Sequence, residues 1–169
     1  YRRLVHVACK KCNVECINTS QESRSREGMH RVFMYGSEDW ESTGYISAKS
    51  IGGAFRTSHG RENKHVLFFD EPDTGLSESY AAGMGQEIRE FMEKAPDKLF
   101  AVFIVSHSKA LLGQLAEIKP WHMHFGDYVS LKTWLATPAS PKPLSKLLDD
   151  GITKFRRLSK ILDGLEKSK

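Results

Sequence analysis

The chain has 169 residues, of which 40% are hydrophobic and 27% charged, and its formal net charge is +4. That balance suits one folded core rather than a disordered or fibrous chain, and no apolar run approaches the length of a membrane span. No leader with a charged start and a long apolar centre is visible, and the odd number of cysteines does not form a disulfide framework, so a cytoplasmic protein is expected.

Leu4-Val5-His6-Val7-Ala8 and Val14-Glu15-Cys16-Ile17 flank Lys10-Lys11-Cys12-Asn13, which reads as a β-hairpin. The polar run Asn18–His30 reads as a loop and Arg31-Val32-Phe33-Met34-Tyr35 as a further strand. Gly36–Gly44 is then a loop leading to a helix near Ser47–Arg56. His65-Val66-Leu67-Phe68-Phe69-Asp70 is an apolar run bounded by turn residues, as in a central strand buried on both faces.

Ala81, Met84, Ile88, Phe91 and Met92 recur at helical spacing before Pro96, which marks a crossover helix. Leu99-Phe100-Ala101-Val102-Phe103-Ile104-Val105 repeats the buried-strand pattern. Leu111, Leu112, Leu115 and Ile118 then mark a helix ended by Pro120. Trp121-His122-Met123-His124-Phe125 reads as a strand turning at Gly126, with Trp121 and Phe125 in the core and His122 and His124 as structural residues. Alternating strands and helices indicate an α/β fold with a parallel sheet and right-handed crossovers.

Residues 1–136 form this core region, 137–143 a proline-rich linker with extended backbone, and 144–169 an amphipathic helical segment. The last segment carries an apolar stripe that includes Leu144, Leu148, Ile152 and Phe155 and is interrupted by Gly151. It reads as one helix or a bent pair, suited to docking a partner. Its Lys154, Arg156, Arg157 and Lys160, like the mildly basic chain as a whole, permit contact with nucleic acid.

The chemistry centres on the two strand tips. Open α/β sheets place ligands beyond the carboxyl ends of their strands, which is where Asp70 and Glu71 stand. Asp70 suits Mg²⁺, a cation that prefers hard oxygen ligands. Glu71 points differently and can accept a proton from an attacking water. His107, after the second strand, can hydrogen-bond a phosphate oxygen from a neighbouring tip.

Phe69-Asp70-Glu71-Pro72, Asp73-Thr74-Gly75-Leu76-Ser77 and Val105-Ser106-His107 resemble the Walker B motif, D-loop and switch histidine of ABC-type ATPases, the Rad50, SMC and RecF group included. The resemblance implies a P-loop NTPase core, ATP and Mg²⁺ as cofactors, Glu71 and His107 as catalytic residues and Asp70 as the metal ligand. Asp73 and Ser77 of the D-loop would contact nucleotide, with Ser77 standing where the family has aspartate; Ser77 also suits a helix N-cap. Ser47, 23 residues before Asp70, corresponds to the signature serine that opens a helix, although Ala48 and Lys49 replace the family's glycines.

No G-x-x-x-x-G-K-[ST] run occurs. The resemblance therefore implies the C-terminal part of a longer ATPase, completed by an upstream phosphate-binding loop and acting as a homodimer around ATP; alone, the chain is expected to bind ATP poorly. Two rival readings are a non-hydrolysing interaction module and a zinc site made of His6, Cys9, Cys12 and Cys16, whose residue types suit tetrahedral zinc but whose spacing lacks the usual long loop between ligand pairs.

Overall fold

A computed structural model describes residues 2–19, 42–123 and 129–167. In chain order the elements are α1 (Arg2–Cys12), β1 (Glu15–Thr19), α2 (Thr43–His59), β2 (His65–Asp70), α3 (Glu78–Glu93), β3 (Leu99–Val105), α4 (Lys109–Leu115), α5 (Leu131–Ala136) and α6 (Leu144–Lys167). A 3₁₀ turn, Ala116–Ile118, extends α4. The fold class is α/β: β1, β2 and β3 form a parallel sheet in that order, with Ile17 opposite Leu67 and Phe69 opposite Ile104.

The hydrophobic core lies on one face of the sheet. Leu67 and Phe69 point into it from β2, and Ile51 and Ala54 of α2, Ile88 and Phe91 of α3, and Leu111 and Leu115 of α4 close over them. Side chains alternate along a strand, so Val66 and Phe68 face the other way, towards the side where α1 contacts β1 and β2. Phe55 stacks on Phe91 with ring centroids 4.1 Å apart and meets Phe69 edge-on, an arrangement favoured by the ring quadrupoles.

The expected hairpin is wrong in its first half: Arg2–Cys12 is a helix. Val5 and Cys9 are a helical turn apart, which puts both on one face, and Cys9 is buried. Asn13 ends the helix in left-handed backbone, φ 53°. Its N–H donates to Lys10 O (3.3 Å) and that of Val14 to Cys9 O (3.0 Å), the paired bonds of a Schellman motif.

One further expectation changes. Trp121–Met123 is not a strand, residues 124–128 lie outside the described set, and Trp121 is 82% exposed rather than in the core. The strand expected at Arg31–Tyr35 also lies outside the described residues. The stripe of the C-terminal segment is one continuous helix of 24 residues, since a single exposed glycine costs only about 1 kcal/mol. The short helix α5 was not expected; Lys109 holds it to α4 by donating to the carbonyls of Leu135 and Thr137 and by lying 5.3 Å from the Trp134 ring centroid.

The interface of α3 and α4 sets a packing test. A Cβ on Gly85 would lie 2.5 Å from the Leu111 carbonyl oxygen, whereas one on Gly83 would meet nothing within 4 Å. Gly85→Ala should therefore destabilise the protein by about 1–3 kcal/mol through overpacking, and Gly83→Ala should stabilise it by up to about 1 kcal/mol through helix propensity. Urea denaturation of the two variants measures both.

Candidate active site

β2 ends in a tight turn that the neighbouring strand and helix define. Its N–H groups exhaust the sheet ladder at Glu71, whose N–H donates to Val105 O at 2.8 Å. Glu71 itself sits in the left-handed region, φ 48°, at a cost of about 1–2 kcal/mol for a residue with a Cβ. Thr74 holds it there: both its N–H (3.1 Å) and its hydroxyl (2.9 Å) donate to Glu71 O. Pro72 is fully buried beneath the turn, and Leu76 N–H closes it on Asp73 O.

The turn is tied to both neighbours. From β3, the Ser106 hydroxyl donates to the Asp73 carboxylate at 2.7 Å and receives the Ser108 N–H at 2.9 Å. From α2, the Ser47 hydroxyl donates to Thr74 O at 2.9 Å. Gly75 has φ 79°, open to glycine at little cost, and a Cβ there would lie 2.8 Å from Gly44 N; a Cβ on Gly44 would lie 2.6 Å from Gly75 O. The start of α2 therefore rests directly on the backbone of the turn.

These ties bring the two expected catalytic side chains together. His107 Nε2 lies 3.7 Å from Glu71 Oε1, and the His107 side chain is 88% exposed at the tip of β3. The separation exceeds a direct hydrogen bond but lets one small group contact both. Asp70, the last residue of β2, pairs in register with Val105 and is half-buried at the same tip. Asp73 faces Ser106, so its carboxylate joins the two tips.

Ser47 lies elsewhere than its motif position suggests, whereas Ser77 stands where its N-cap reading puts it. Ser47 does not open its helix: α2 begins at Thr43, and Ser42 is the N-cap, its hydroxyl accepting from Tyr45 N–H at 3.3 Å. Ser47 is one turn further on and 1% exposed, because Gly44, Ser47, Ile51, Ala54 and Ser58 form the buried face of α2. Ser77 is the N-cap residue of α3 but makes no side-chain capping bond.

Two polar residues not anticipated as important are Ser106, which anchors the turn, and His65. His65 is fully buried at the start of β2; its Nδ1 donates to Asn63 O (3.0 Å) and its Nε2 accepts from the Ser58 hydroxyl (2.7 Å). The carbonyl can only accept, which assigns the tautomer. Ser106 was legible as the hydroxyl beside His107; its partner, 33 residues away, was not.

An apolar groove of about 320 Å³ runs beside the β3 tip, lined by Val102, Ile104, Leu112, Trp121, Trp134 and His107 among others, and touches neither Asp70 nor Glu71. The cysteine region forms no metal centre: among the described residues no three His, Cys, Asp or Glu side chains converge on a common point. His6 and Cys12 are exposed on α1, whereas Cys9 is buried.

No family model, curated protein or solved structure matches the chain.

Burial pushes the Cys9 thiol above its ordinary value, more than a hydrogen bond with Cys16 lowers it. The thiolate is the reactive form, so iodoacetamide at mildly alkaline pH should alkylate the exposed Cys12 about tenfold or more faster than Cys9. Peptide mass spectrometry over a time course measures the ratio. The fold disfavours the Cys9 thiolate, so this group removes stability as pH rises past the ordinary thiol range.

Proposed function

We propose that this chain is the C-terminal part of an ABC-type head of P-loop NTPase fold that binds and hydrolyses ATP. The observation that carries the reading is the meeting of Glu71 and His107, from adjacent parallel strand tips, with 3.7 Å between Oε1 and Nε2. One of the pair is on a residue held in left-handed backbone. Such strain persists only where the surroundings over-determine it, and it concentrates at functional sites.

The donor set suits the implied cofactor. Mg²⁺ is bound through one or two carboxylates together with substrate phosphates and water, and Asp70 and Glu71 offer hard oxygens at one tip. Bound Mg²⁺–ATP would supply the scissile phosphoanhydride and the charge neutralisation that phosphoryl transfer needs. In this reading Asp70 holds the cation, Glu71 orients a water and takes its proton, and His107 donates to a phosphate oxygen. Asp73, held by Ser106, keeps the tips at this separation.

The phosphate cradle is assigned to a further segment bearing a glycine-rich loop, because the sequence contains no such run. β3 is compatible with an extended sheet, since it stands at one end of the described strand order. Two heads would close on ATP. The helix-opening serine available to the partner's nucleotide is Ser42, exposed at the start of α2, in place of the buried Ser47.

In the intact protein Glu71→Gln should keep ATP binding and lower turnover by about 100-fold or more, the scale of a lost general base; unchanged steady-state hydrolysis would overturn the assignment. His107→Ala should lower kcat and leave the melting temperature within a degree or two, since an exposed side chain away from packing contributes little to stability. A large loss of melting temperature with normal hydrolysis would instead make His107 structural.

A further inference from the structure

We infer that Cys9 and Cys16 form a reversible redox pair, in which a hydroperoxide closes a disulfide that clamps α1 onto β1. Cys16 stands in register with Val66 on the neighbouring parallel strand. Residues in register share a face of the sheet, so Cys16 points with Val66 to the side where α1 contacts the strands. Cys9 approaches from α1 and is 6% exposed. The reversal at Asn13 brings the two residues together, and their thiols share a hydrogen bond.

Their surroundings give them different roles. Cys16 is half-buried and lines, with Cys9, a cavity of about 380 Å³ whose other walls include His6, Lys10 and Arg61. Reactive thiols sit in partly exposed surroundings of this kind, with cations near by, and the carboxylate there, Glu15, is paired with Arg61 at 2.9 Å. Cys9 is more enclosed, and burial disfavours its thiolate. Of the pair, Cys16 therefore meets the oxidant.

The Cys16 thiolate attacks the O–O bond of hydrogen peroxide; an S–O bond forms, and the hydroxide released leaves as water with the proton that Cys16 gave up. The Cys9 thiol then attacks the sulfenic sulfur. The S–S bond forms, the S–O bond breaks, and hydroxide leaves with the Cys9 proton as a second water. Two thiols supply two electrons, and the peroxide takes both. Cys12, exposed at the end of α1, does not line the cavity, and a bond from it to Cys9 would lie within α1 and leave β1 unlinked. In a reducing compartment the pair rests as thiols, so the bond records an oxidant instead of bracing the fold permanently.

The test treats the full chain with hydrogen peroxide, blocks the remaining thiols with N-ethylmaleimide and maps disulfides by mass spectrometry. Lys10, Lys11 and Glu15 lie between the three cysteines, so trypsin with a glutamate-specific protease puts each on its own peptide. A bond between Cys9 and Cys16 should form in the wild type and equally in Cys12→Ser. It should be absent from Cys16→Ser, where Cys9 should be oxidised about tenfold or more slowly. Oxidised Cys12→Ser should melt about 5 °C higher than its reduced form, and dithiothreitol should reverse the shift. A bond from Cys9 to Cys12, a bond between two chains, Cys16 carried to sulfinic acid without a crosslink, or a crosslinked chain that melts no higher would each overturn the proposal.

Discussion

The carboxyl end of the sheet depends on the reversal that follows β2 at residues 71–76. A strand leaving a parallel sheet must satisfy its last amides elsewhere, and here Val105 accepts the first of them while Glu71 turns left-handed. Once that conformation is imposed, the positions of Asp70, Asp73 and Thr74 follow. Ser106 from one side and Ser47 from the other then hold the turn. Neither serine needs to touch a ligand to matter, since each fixes backbone on which a carboxylate is carried.

That dependence explains why the helices lie as they do. β1, β2 and β3 are adjacent in sequence order and parallel, so connections of one hand carry their helices to the same face. α2, α3 and α4 accordingly share one core. The opposite face falls to α1, whose eleven residues span only about 16 Å. β3 lies at one end of the strand order, and its Phe103 remains exposed. Val66 and Phe68 are nonetheless buried on the face towards α1, as Leu67 and Phe69 are on the other.

The parts of this fold most legible in the sequence were those with a strong local apolar pattern. β2 and β3 are continuous apolar runs, and α3 repeats its apolar residues every three or four positions; each is found where its pattern puts it, although β3, expected as a buried strand, lies at one end of the described strand order with Phe100 71% and Phe103 41% exposed. The stretch before Asn13 misled because Val5, Val7 and Cys9 fit a period of two as well as a helical turn. Asn13 carried the deciding information: a residue tolerant of left-handed backbone, two positions after the second of two lysines, is a helix stop. Trp121 misled for another reason, since an aromatic residue is a core candidate only if an element presents it to the core. The tip residues were recognisable as a group, but the shift of the helix-opening serine from position 47 to 42 depended on where Ser42 caps α2.

The contact between Gly44 and Gly75 limits how this chain can diverge. Most tight contacts in a core involve side chains, and a bulkier residue on one side can be offset by a smaller one on the other. Here the obstacles include backbone atoms, Gly75 O at 2.6 Å and Gly44 N at 2.8 Å, and every amino acid brings those atoms with it. No partner substitution can make room. The two positions, 31 residues apart, are therefore closed to compensatory change, and a lineage that loses either glycine must rebuild the turn itself.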